Sequence, residues 1–179
     1  MRDRLINFVL YQTGWLIIVI SAAKKRPWLG SAAGLFLIAV HLVLARERKP
    51  EALNILWIGL LGTFVDTIQA FFGVFVFESG YWSFWIAPFW ITVMWMQFAT
   101  LFHFALSWLT GRYILAAVLG FMGGPAAFLT GQRLGGVIFP YGTIYSLKVL
   151  ALVWAVLLPV VLWISGRNRL SAGEGQYRI

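Results

Sequence analysis

The chain has 179 residues, 61% of them hydrophobic and only 11% charged, and a mean hydropathy of +0.84. Soluble domains carry about 25% charged residues, so this composition excludes an ordinary soluble fold and indicates an integral membrane protein. The net charge of +8 comes mostly from Lys and Arg beside apolar runs, where they set membrane orientation. With no basic face or recognition motif, that charge does not imply nucleic acid as a partner.

Six apolar spans are predicted in chain order, at about residues 5–23, 28–44, 52–77, 84–109, 113–130 and 143–165. Each is near or above the roughly 20 residues a helix needs to cross a bilayer. None alternates with period two, which argues against a β-barrel. The fold class is therefore all-α, a polytopic transmembrane helical bundle. Residues 1–166 form the bundle and residues 167–179 a polar cytoplasmic tail. The start, MRDRLINFVLYQTGWLIIVISAA, has the basic opening of a signal peptide but a longer apolar stretch. It reads as a retained first helix.

Orientation follows from Lys and Arg. Arg2, Arg4, Arg46, Arg48, Lys49, Arg112, Arg167, Arg169 and Arg178 fall on one side, and Lys24, Lys25, Arg26 and Arg133 on the other. The positive-inside rule then places both termini in the cytoplasm, with KKR after the first span as the exception. Trp28, Tyr81, Trp82, Trp85, Trp90, Tyr141 and Tyr145 lie near outer span ends, as an aromatic belt would.

Polar residues inside spans are the candidate functional groups. Asp66 interrupts the run from Ile55 to Phe77. A carboxylate in hydrocarbon is costly, so it faces a bundle interior and marks a partner or a pathway. At 1.5 Å per residue, Asp66, Gln69, Gln97 and Lys148 fall in one outer layer, roughly 18–25 Å above the inner surface. Pro125, in FMGGPAAFLTG, is expected to break the fifth span at the same level and free the carbonyl of Phe121. These features are expected to converge on one polar site. Asp66 would be its general base or proton carrier, with Gln69, Gln97 and Lys148 as binding groups. Equally, Asp66 and Lys148 would simply neutralise each other and hold helices together. Lys148 alone reads as snorkelling.

A lower layer holds Gln12, His103 and Ser107. His103 reads either as a catalytic proton carrier or as a satisfied hydrogen-bond donor. His41 is expected at the interface. Arg133 could bind a lipid phosphate or mark the interface. Small-residue pairs Gly30/Gly34, Gly120/Gly124 and Gly131/Gly135 allow close helix approach. With no Cys and two His lacking H-x-x-x-H spacing, no metal and no cofactor are expected.

NFVLYQTGW, WMQFATLFHFALSWL and GGPAAFLTGQRLGG together resemble an uncharacterised family of small bacterial inner-membrane proteins, a domain of unknown function. The resemblance covers most of the chain and supplies no catalytic residue. It implies location in the bacterial cytoplasmic membrane and a gene neighbourhood of lipid-modifying enzymes. Three functions stay open: a lipid-related enzyme or accessory, a small proton-coupled permease, and a non-catalytic assembly subunit. Membrane lipids, a second copy or another membrane protein are the corresponding partners.

Overall fold

A computed structural model describes residues 2–81 and 86–171. Trp82, Trp85 and the tail beyond residue 171 lie outside the described residues. Six α-helices are present among the described residues: α1 (Arg2–Ala23), α2 (Pro27–Leu44), α3 (Arg48–Phe71), α4 (Phe89–Ala99), α5 (Tyr113–Arg133) and α6 (Thr143–Ser171). All but α4 are long and apolar enough to cross a membrane. Large apolar side chains cover the outside as well as the core; Phe36, Ile114 and Leu152 are 67%, 85% and 66% exposed. Such a surface would aggregate in water and suits a hydrocarbon solvent.

Helices α1 to α4 pack as one body, and α5 pairs with α6 as a long hairpin beside it. α3 contacts α6 across the seam. One end of the bundle carries the N terminus of α1 and the C-terminal part of α6, here the terminal end. The other carries a short ribbon, β1 (Val76–Phe77) antiparallel to β2 (Val137–Ile138). Both strands arise in the same way. Two residues past the end of α3 stands Gly73 (φ +70°), and two past the end of α5 stands Gly135 (φ +85°). Val74 N–H donates to Gln69 O, and Gly136 N–H to Gly131 O. These are six-residue closures that need a left-handed residue. The sequence continues apolar past both glycines, so hydropathy alone extends the third span to residue 77, whereas the helix ends at Phe71.

Two glycine pairs are used inside the molecule. A Cβ on Gly30 would lie 2.8 Å from Ile18 Cα, and one on Gly34 2.7 Å from Val93 Cγ1. A Cβ on Gly120 would meet Trp154 O, and one on Gly124 the Trp154 indole. These small-residue faces serve α1–α2, α2–α4 and α5–α6 packing.

The helix break lies elsewhere than expected. α5 runs unbroken through Pro125, and α6 through Pro159. Span four is interrupted instead: α4 ends at Ala99, turns follow, and a 3₁₀ turn covers Ser107–Leu109. No proline is involved. Thr100 Oγ bonds back to Gln97 O (2.7 Å). Asn7 of α1 then ties the unwound chain, donating to Thr100 O (3.1 Å) and accepting from Ala105 N–H (3.3 Å). Irregular backbone at membrane depth needs such internal partners.

Candidate functional site

α3 carries one buried stripe, including Glu51, Ile55, Ile58, Gly62, Asp66 and Gln69. The spacing follows the helical repeat, so all six share a face. The stripe is acidic near both ends. Glu51 and Asp66 stand about 22 Å apart along the axis.

At the ribbon end, Asp66 is 2% exposed. One carboxylate oxygen accepts from Trp95 Nε1 (2.8 Å), the other from Gln69 Nε2 (3.1 Å). Trp95 reaches this position because Gly62, one turn below Asp66, has no side chain. A Cβ there would fall inside the indole. Trp95 stacks on Trp154 of α6 (centroids 5.0 Å apart, planes at 14°), and Trp154 in turn lies on Gly124. The arrangement is a two-indole stack between two glycines, Gly62 on α3 and Gly124 on α5. It bridges the seam between the α1–α4 body and the α5–α6 hairpin. A cavity of about 70 Å³ lies in that seam, partly open, with Asp66 in its wall. One water-sized sphere occupies about 10–15 Å³ by this measure, so several waters or a small molecular head fit. Half of the lining residues are aromatic, among them Tyr11, Trp15, Trp90, Phe98 and Trp154.

Other members of the expected outer layer are not at this site. Gln97 is buried, but it donates to Gly34 O (3.0 Å) and lies against Gly14. It joins α4 to α2 and α1. Lys148 is exposed, and the partners of Asp66 are an indole and an amide. The Asp66–Lys148 neutralisation is therefore not formed. Arg133 is exposed at the end of α5. Pro125 opens no gap in its helix. Trp90, expected in an aromatic belt, is 1% exposed and donates to Ser79 O (2.9 Å).

At the terminal end, Glu51 is 4% exposed and holds two imidazoles. His41 Nε2 lies 2.8 Å from Oε1, and His103 Nδ1 2.5 Å from Oε2. The bonds of Asn7 to Thr100 O and Ala105 N fix its amide orientation. Its NH₂ then faces His41 Nδ1 (3.4 Å), so that nitrogen accepts and His41 Nε2–H donates to Glu51. His103 Nε2 lies 2.9 Å from Ser165 Oγ and 3.1 Å from Ser165 O. A neutral His103 can accept from the hydroxyl, and a protonated one can donate to the carbonyl. Either protonation state is satisfied without movement. The chain Asn7–His41–Glu51–His103–Ser165 links α1, α2, α3, the unwound segment and α6. Ser107, placed with His103 in the lower layer, bonds Phe104 O within its own turn. Gln12 is exposed.

Glu51 was missed because the third span was begun at residue 52, leaving the glutamate in the charged loop RERKPE. Extending the Asp66 stripe down its own face would have found it. His41 was assigned to the interface, yet it is 6% exposed. Among the described residues, no group of three or more His, Cys, Asp or Glu is arranged to hold a metal ion.

No curated protein and no solved structure matches this chain. Residues 4–160 match the family model described as protein of unknown function DUF2878, and the chain belongs to that family.

Proposed function

We propose that this is a lipid-related accessory protein of the bacterial cytoplasmic membrane, with both termini in the cytoplasm, which binds a largely apolar, bilayer-dissolved molecule in the seam beside Asp66. One observation carries the reading: a partly open aromatic cavity between two helical bodies reaches a buried carboxylate. Concave, mostly apolar sites with few polar groups are where small molecules bind. A carboxylate kept in hydrocarbon needs a partner, and at Asp66 the side chain borders open space as well as its two donors. The groups bonded to Asp66 are an indole and an amide, neither of them a nucleophile or a base, which supports binding over catalysis. The small-residue pairs Gly30/Gly34 and Gly120/Gly124 are occupied inside the molecule, so they lend no support to an assembly subunit.

The test is native mass spectrometry of protein taken from its own membrane. The wild type carries a co-purifying molecule, and Ala127→Phe, which projects into the cavity from its α5 wall, loses it. Identical adducts on both proteins, or none on either, would contradict the reading.

A second reading, proton-coupled carriage of the same molecule, draws on the Glu51 chain. His103 has a partner in each protonation state, and it sits on the unwound segment, as ionisable groups of carriers do. Uptake into proteoliposomes that is unchanged by His103→Phe would rule this out.

A further inference from the structure

We propose that the cavity beside Asp66 takes the cationic head of a free lipophilic ammonium compound. The inference rests on the binding reading above and names its ligand class. Three observations point the same way.

The first is the carboxylate itself. Each Asp66 oxygen accepts one hydrogen bond from a neutral donor. Each carboxylate oxygen has two lone pairs, so each retains an acceptor site. The second is the wall. Ammonium groups are attracted to aromatic faces within about 6 Å of the ring centroid, most strongly to Trp. Trp15, Trp90, Trp95 and Trp154 all line this cavity. The third is charge. Among the described residues, no Lys, Arg or His lines the cavity. The lysine that the sequence places at this depth, Lys148, is exposed. Among the described residues the carboxylate has neutral hydrogen-bond donors and no counter-ion, and an ammonium head would be one.

The same charge pattern selects the source. A phosphocholine or phosphoethanolamine headgroup brings a phosphate beside its ammonium. Nothing basic among the described lining residues would meet that phosphate, and unpaired charge in a low-dielectric site is costly. The ligand is therefore a free amine or quaternary ammonium with an apolar body, entering through the seam.

Equilibrium binding to protein in lipid nanodiscs tests this with three probes: benzyltrimethylammonium, its neutral carbon isostere neopentylbenzene, and phosphocholine. The wild type binds benzyltrimethylammonium, and Asp66→Asn binds it at least about tenfold more weakly. Neopentylbenzene binds both proteins equally and more weakly. Trp15→Leu, a half-exposed wall position, weakens the cation about three- to tenfold and spares the neutral probe. This variant carries the test if Asp66→Asn does not fold. Cation affinity unchanged in the folded variants would overturn the proposal. So would neopentylbenzene binding as tightly as the cation, although the cavity reading would then survive. Phosphocholine binding as tightly as the cation would overturn the choice of a free ligand in favour of a headgroup. Failure of all three probes, together with Ala127→Phe leaving co-purification unchanged, would remove the cavity reading itself.

Discussion

The two ends of α3 each bury an acid, and the company they keep is opposite. Glu51 sits between two imidazoles and a chain of further bonds that reaches α1, α2 and α6. Asp66 has one indole, one amide and a cavity. Burial is the same at both places, 4% and 2% exposed. Burial therefore does not separate scaffold from site in this bundle; the chemistry of the partners does. A carboxylate whose ionisable partners bind it from several helices fastens those helices. On the proposed reading, a carboxylate held by neutral donors beside open space keeps capacity for something that is not part of the chain.

This contrast is breakable, most forcefully at Glu51. Glu51→Ala strips both imidazoles of their partner at once. Removing one member of a buried ionic network costs about 3–5 kcal/mol, and thermal unfolding in nanodiscs should show a loss of that size. Next comes the indole stack. Gly62→Ala forces a Cβ into Trp95, and overpacking of this kind costs about 1–3 kcal/mol. The same measurement on Gly124→Ala, against Trp154, should give a comparable loss, and both should lower ligand retention by displacing the stack.

Amide replacements sharpen the comparison by preserving shape. In Glu51→Gln the new NH₂ can donate to His103 Nδ1 while His103 Nε2–H turns to Ser165 O, so most stability returns, with about 1 kcal/mol or less missing. In Asp66→Asn the adjustment falls to Gln69. Its Oε1 has no hydrogen-bond partner, so a flip of the amide lets it accept from the new NH₂. Unfolding should again shift by about 1 kcal/mol or less, yet ligand binding should fall. The smallest effects belong to Lys148→Met and Arg133→Gln, both exposed, each within about 0.5 kcal/mol.

Much of the fold was legible because hydrocarbon imposes simple rules. Long apolar runs must be helices, and five of them are. Asp66 had to look inward, and it does. What escaped was set by contacts between distant parts of the chain. The break in span four carries no proline; it depends on Asn7, 93 positions from Thr100. Conversely, Pro125 looks like a break in sequence but is carried within an intact helix packed along α6. Depth counting also put Gln97 and Lys148 level with Asp66 without regard to which way each faced. Helical rise fixes height; rotation about the axis decides neighbours, and for these residues the neighbours are Gly34 and the exterior.

Thermal unfolding of Glu51→Ala and Asp66→Ala, measured side by side in one lipid nanodisc preparation, tests the division of labour most directly. The account predicts that Glu51→Ala loses about 3–5 kcal/mol and Asp66→Ala less, about 1–3 kcal/mol for each neutral donor that water in the adjoining cavity does not reach. A larger loss for Asp66→Ala than for Glu51→Ala would contradict it.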